Sequence, residues 1–241
     1  MIKRIFIHVQ NLSISIKWLY CNYRAFQKDL EDRGFYAIEF YKIWLWKKNA
    51  KYFRAYNTKG DYFFIKLKTR DSIEFESKAL NYISERDAEN NNFYPRIVAT
   101  RTGDFNYIIS ENILGHKIKK KSLRINLLNQ MKEILVFLKD NKIIHRDIRP
   151  HNIIINDGKI ILLDFEHCII NGAGNIDDAG NIDDAGNIDD AGLNSSYSPD
   201  IGIWDDAFSF KKIIESYCSE NFKNDKNYIY ICDMVKGYRH V

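Results

Sequence analysis

The stretch from Ile144 to Glu166 limits what this chain can fold into more than any other. It reads Ile144-His145-Arg146-Asp147-Ile148-Arg149-Pro150-His151-Asn152-Ile153-Ile154-Ile155 and, after a turn, Ile160-Ile161-Leu162-Leu163-Asp164-Phe165-Glu166. Two short apolar runs joined by a turn form a hairpin. Polar side chains, Asp147, Asn152 and Asp164, stand at its flanks.

The rest of the chain can supply a core around it. Of 241 residues, 45% are hydrophobic and 28% charged, with a formal charge of +4, which suits one large domain or two small lobes sharing a cleft. Collagen, coiled coil and a disordered tail are excluded. Only 3 Pro and 12 Gly occur, and many of the glycines cluster between Gly172 and Gly192, so regular structure should dominate elsewhere. The four cysteines, Cys21, Cys168, Cys218 and Cys232, form no Cys-x-x-Cys pair and read as reduced structural thiols. The apolar run Ile5-Phe6-Ile7 is interrupted by His8, Gln10 and Asn11, and no stretch approaches the roughly 18 apolar residues of a membrane span. A cytoplasmic protein is expected. Residues 1–60 hold twelve Lys/Arg against four acids, an excess of +8, together with Trp18, Trp44 and Trp46. Such interleaving fits either a surface facing anionic lipid or nucleic acid, or a solvated basic lobe with aromatic core residues.

Three antiparallel strands are expected over Ile43–Trp46, Tyr52–Tyr56 and Tyr62–Leu67, with a polar Lys47-Lys48-Asn49 turn after the first. Asp71 or Ser72 begins a helix to about Ile83, with Phe75, Ala79, Leu80 and Ile83 on one face. An apolar run, Tyr107-Ile108-Ile109, precedes a helix from Leu123 to Asp140 that buries Leu127, Met131, Ile134, Leu135 and Leu138. Past this point the chain should be mostly helical. The hexapeptide Gly-Asn-Ile-Asp-Asp-Ala occurs three times in succession between Gly174 and Ala191. Three hexads make only about one coil of a β-helix, so a passive insert in an exposed loop is expected.

The two motifs resemble the His-Arg-Asp-x-x-x-x-Asn catalytic loop and the Asp-Phe-x metal loop of the protein-kinase-like superfamily. The resemblance covers roughly residues 40 to 215. It implies that Asp147 accepts or orients the acceptor hydroxyl and that Asn152 and Asp164 hold the Mg2+ ions bridging the phosphates of ATP. Arg149 stands where protein kinases often carry a lysine that donates to the γ-phosphate. Lys66, at the end of Phe64-Ile65-Lys66, is similar to the strand lysine that pairs with the α- and β-phosphates, with Lys68 as its rival. Its helical partner is Glu76, within a Glu-x-x-x-Leu pattern, in preference to Glu74. Glu111-Asn112-Ile113 resembles the hinge between lobes, where backbone groups of Glu111 and Ile113 read adenine and Ser110 is the gatekeeper. Asp206, with Asp205 as the alternative, is similar to the aspartate that braces the catalytic loop.

Two departures mark a subgroup. No Gly-x-Gly-x-x-Gly precedes the second strand, where lysine charge would have to replace backbone donors. Glu166 replaces the glycine that usually follows Asp-Phe, as in small-molecule kinases. Only 35 residues follow Asp206, and Ser198-Pro199-Asp200 lies too near it to be the usual Ala-Pro-Glu anchor.

The fold implied is α+β and bilobal: a variable extension over 1–35, a small antiparallel-sheet N-lobe over 36–113, and a mainly helical, truncated C-lobe over 114–241 that carries the repeat insert 174–192. The function implied is ATP-dependent phosphorylation of a sugar hydroxyl on a bacterial surface glycolipid such as lipopolysaccharide core. The protein would sit peripherally on an anionic membrane at its inner face, with no nucleic-acid partner. The alternatives are an atypical serine/threonine protein kinase and, from another class, a nucleotide-binding pseudokinase module. The basic run Lys117-Ile118-Lys119-Lys120-Lys121 is expected to guide an anionic acceptor or to be a solvated helix start.

Overall fold

In the computed structural model the chain is described over residues 2–87, 92–119, 123–170 and 205–237. The hexapeptide repeats, Lys120, Lys121 and Ser198-Pro199-Asp200 lie outside the described residues. The structure is mixed α and β, with an antiparallel sheet and several helices, an architecture compatible with a kinase-like fold. The chain divides into two compact units, Met1–Asn81 with Pro95–Ile113, and Tyr82–Tyr94 with Leu114–Val241. One division follows Ile113; none falls at Phe35, and 82–94 groups with the second unit.

In the first unit, helix α1 (Ile2–Glu31) precedes β1 (Phe35–Phe40), β2 (Lys51–Asn57), β3 (Tyr62–Leu67), α2 (Arg70–Arg86), β4 (Ile97–Arg101) and β5 (Tyr107–Glu111). The strands form one antiparallel sheet in the order β1-β2-β3-β5-β4. Alternation puts Phe53 and Ala55 of β2, Ile65 and Leu67 of β3, and Tyr107 and Ile109 of β5 on one face, where Phe26 and Leu30 of α1 complete the core. Lys66 therefore points to the other face, where it meets Glu76 of α2. The 1–35 segment is thus a layer of the fold. Asp29 of α1 accepts a hydrogen bond from Tyr107 Oη at 2.7 Å and also pairs with Arg101.

The structure corrects two sequence expectations in this unit. Ile43–Trp46 is not a strand: Lys42 takes a left-handed conformation (φ 43°), the chain coils into a 3₁₀ turn over Ile43–Leu45, and Trp46 turns inward to donate Nε1–H to Tyr41 O at 3.1 Å. The edge strand is instead Phe35–Phe40, bulged where Ala37 has φ 50°. Phe75 is half exposed, and Ile73 and Glu76 take its place on the buried face of α2 beside Ala79, Leu80 and Ile83. Trp18 and Trp46 belong to the core, their rings 6.3 Å apart, which leaves Trp44 at the surface.

In the second unit, α3 (Leu127–Asp140), α4 (Asp206–Tyr217) and α5 (Lys226–Gly237) pack together, and Met131, Leu135, Phe210, Ile214 and Ile231 are buried. The helix face expected from Leu127 to Leu138 is buried. Its start moves to Leu127 because the backbone of Leu123 is bonded to the end of α4, through Tyr217 O at 3.2 Å. The hairpin expected from the two apolar runs forms, and further short strands interrupt the otherwise helical remainder. β6 (His116–Lys117), β8 (Ile153–Asn156) and β9 (Lys159–Leu162) form a small sheet, and β7 (Ile143–Ile144) pairs with β10 (Ile169–Ile170). Runs of isoleucine, stiff at χ1, fit a pleated surface better than a helix. Gly115, at φ 146°, enters this sheet where a Cβ would strike the backbone of Ile155.

Candidate active site

The pairing of the short strands brings the two motifs of the second unit together. β7 pairs with β10 and β8 with β9, so residues 145–152 and 163–168 emerge side by side. Backbone bonds fasten them: Leu163 N donates to Asn152 O at 2.8 Å, and His145 Nε2 lies 3.2 Å from Leu163 O. His145 is fully buried against Phe165, with ring centroids 4.5 Å apart. Its Nδ1 accepts from Asp147 N at 3.3 Å, so the ring proton sits on Nε2 and donates to Leu163 O. Burial pushes the imidazole down to about 4, which keeps it neutral.

Arg146 and Asp164 both adopt left-handed backbone, φ 70° and 69°, a conformation that non-glycine residues avoid. Asp206 stabilises the first. Its carboxylate accepts from His145 N at 2.7 Å and from Arg146 N at 3.1 Å, one oxygen for each. Asp205 does something else: it caps α4, accepting from Phe208 N at 2.9 Å. Burial raises Asp206 to about 7, against the two N–H groups that pull it down.

Asp147 is 5% exposed and, among the described residues, its side chain is held through Oδ2. Asn152 Nδ2 donates to Asp147 Oδ2 at 2.6 Å and to its backbone carbonyl at 3.0 Å, and Arg149 lies 3.1 Å from the same Oδ2. Both side-chain contacts fall on Oδ2, so the other oxygen, Oδ1, can accept a further hydrogen bond. Burial lifts this carboxyl to about 6; Arg149 lowers it, Asp164 raises it and the Asn152 hydrogen bond lowers it. With its amide nitrogen committed to Asp147, Asn152 has its carbonyl oxygen available. Together with the Asp164 carboxylate this makes a hard, oxygen-only donor set, which fits Mg2+.

In the first unit, Lys66 Nζ lies 2.7 Å from Glu76 Oε2, both side chains nearly buried. Glu74 is turned to the surface, where it pairs with Arg70 at 2.7 Å. The sheet face that carries Lys66 also carries Tyr52 and Phe64, stacked with centroids 6.0 Å apart, and Arg54 lies over the ring of Tyr41 at 4.3 Å. Sequence reasoning passed over these aromatic residues; strand alternation counted from Lys66 was the signal that could have found them. Ser110, buried in β5, pairs in register with Phe64. Glu111 closes β5 with its side chain exposed; its N–H donates to Arg96 O at 3.0 Å and its carbonyl accepts from Ser110 Oγ at 3.5 Å, so neither backbone group is without a partner.

The structure thus groups Asp147, Arg149, Asn152 and Asp164 in the second unit, and Lys66 with Glu76 in the first. Of the basic run, Lys117 donates to the carbonyl of His151 in the 145–152 loop, and Lys119 is exposed.

No family model matches the chain. It is 49% identical over 43 residues to "Probable serine/threonine-protein kinase YbdM" of Bacillus subtilis (strain 168), a stretch covering 18% of this chain and 17% of that protein. It is 37% identical over 68 residues to "Probable serine/threonine-protein kinase CA_C1728" of Clostridium acetobutylicum, covering 24% and 10%. A protein of Acanthamoeba polyphaga mimivirus that likewise carries a serine/threonine-protein kinase name is 45% identical over 42 residues, covering 17% and 15%. The matched stretches therefore span less than a fifth of each relative's length. Short as they are, these similarities support a place in the protein-kinase-like superfamily and a kinase activity at that coarse level.

Proposed function

We propose that this protein transfers the γ-phosphate of ATP to an alcohol. The observation that carries the reading is the arrangement at Asp147: a buried carboxylate fixed through one oxygen by Asn152 and Arg149, with the other oxygen available, beside the carboxylate of Asp164. Phosphoryl transfer asks little covalent chemistry of the protein and much positioning. Asp147 Oδ1 accepts the hydroxyl proton and aims the oxygen. Arg149 shares its charge between Asp147 and the transferred group. Lys66, oriented by Glu76, neutralises phosphate oxygens of the nucleotide, and the Tyr52–Phe64 surface offers π-faces to the base. Asn152 and Asp164 would hold Mg2+, which when bound offsets negative charge on the phosphates.

For the acceptor we favour a sugar hydroxyl of a bacterial surface glycolipid such as lipopolysaccharide core, met at the inner membrane face. The support is Glu166 in place of the glycine after Asp-Phe, a departure shared with small-molecule kinases. A serine or threonine hydroxyl is the second reading, favoured by the names of the relatives. Transfer of labelled γ-phosphate into a cell-envelope fraction and a soluble-protein fraction separates the two. Label in delipidated glycan supports the first reading; label confined to polypeptide overturns it in favour of the second.

A further inference from the structure

Helix α1 has a face that the fold does not use. Phe26 and Leu30 are buried against the sheet and Ser15 is buried on the same side, but Phe6, Val9, Leu12, Ile16 and Tyr20 are 70, 61, 47, 57 and 92% exposed. Steps of three and four residues align these five on one stripe, about 20 Å long at the helical rise. Soluble chains rarely leave so continuous an apolar patch uncovered.

The charge on the helix indicates what covers it. From Met1 to Lys28 the sequence carries Lys3, Arg4, Lys17, Arg24 and Lys28 and no carboxylate. Two copies laid stripe to stripe would set cation against cation with no acid to pair, so a second copy is a poor occupant. An anionic surface is a good one. The 3₁₀ turn Ile43–Leu45 packs against α1 and extends the patch, with Trp44 63% and Leu45 49% exposed. Lys47 and Lys48 follow, exposed, and no acid occurs between Phe40 and Gly60. An indole and aliphatic side chains edged by lysines are the composition of an interfacial anchor. Among the described residues no helix is long and apolar enough to cross a membrane, so the stripe would lie on a bilayer and not span it.

We infer that the outer stripe of α1, together with the Trp44 turn, is a docking surface for a bilayer containing anionic lipid. The inference does not rest on phosphotransfer, because the binding it describes needs no nucleotide. The test is sedimentation of the full chain, without ATP, with vesicles of phosphatidylcholine alone or mixed with phosphatidylglycerol. The expected result is binding to the mixed vesicles at least about tenfold tighter than to phosphatidylcholine, weakened by salt. Val9→Glu with Ile16→Glu, and separately Lys17→Glu with Arg24→Glu, should each lower that affinity about tenfold or more. All four positions are exposed, so an unchanged thermal melt is expected to accompany the loss. A blue shift of tryptophan emission on binding, absent in Trp44→Phe, would place that turn in the interface. Equal binding to both vesicle types, no binding at all, or a dimer that the Val9/Ile16 variant splits would overturn the inference.

Discussion

The chemistry of the second unit depends on which atoms each polar side chain has already committed. Asp147 and Asn152 share a 2.6 Å hydrogen bond, so their roles can be separated only through the cation. Asp164→Asn removes the proposed anionic ligand and should abolish the magnesium dependence of ATP binding measured by calorimetry, whereas Asn152→Ala, which removes the proposed neutral ligand, should weaken it less. Equal, metal-independent affinity in both variants would contradict the assignment. His145 gives a test independent of nucleotide. Its folded-state value, about 4, is depressed below the ordinary 6.5, so its contribution to stability is present above pH 6.5 and is lost as pH falls toward 4. The loss amounts to roughly 3 kcal/mol across that window. Asp206 has the opposite sign: raised to about 7, it favours the folded state at low pH and loses that contribution as pH rises through 7. Urea unfolding from pH 4 to 7 should therefore show wild type losing stability toward acid relative to His145→Phe. Parallel curves would mean that the buried imidazole is charged. The hydrogen bonds that fix these states were not legible in the sequence. The residues were, because a fixed spacing names them, but which oxygen of Asp147 is occupied depends on loop geometry that no spacing encodes.

At the scale of elements, strand alternation and helical period carried most of the reading. Alternation put Lys66 on the sheet face opposite Ile65 and Leu67, and helical period put Ala79, Leu80 and Ile83 inward. Glu76 was marked by its Glu-x-x-x-Leu resemblance, and period misplaced Phe75 where the structure has Ile73 and Glu76. They failed at Ile43–Trp46, where alternating bulky residues imitate a strand but a left-handed Lys42 turns the chain, and at α1, whose role as a packed layer depends on contacts far along the chain. The strand-to-helix ion pair is open to a double-mutant cycle. Lys66→Met or Glu76→Gln alone breaks a nearly buried ion pair, a change that typically costs about 3 to 5 kcal/mol. Turnover should fall strongly in either single variant, and the double should be no worse than Lys66→Met. Additive losses would show that the two side chains act separately.

For the whole molecule, an α+β class and a kinase-like set of motifs could be read from the sequence, because apolar periodicity and motif spacing are local properties. The grouping of 82–94 with the second unit could not, since that segment continues a helix whose first part belongs to the first unit. What joins the observations into one activity is the claim that Asp147 serves the acceptor hydroxyl and not the nucleotide. The direct measurement is transfer of labelled γ-phosphate to an alcohol acceptor by wild type and Asp147→Asn, with Mg-ATP affinity determined on the same preparations. Transfer should fall by about 100-fold or more, the contribution of a positioned base, while Mg-ATP affinity stays within about twofold. Retained transfer in Asp147→Asn, or a loss of transfer that merely follows a loss of ATP binding, would contradict the account.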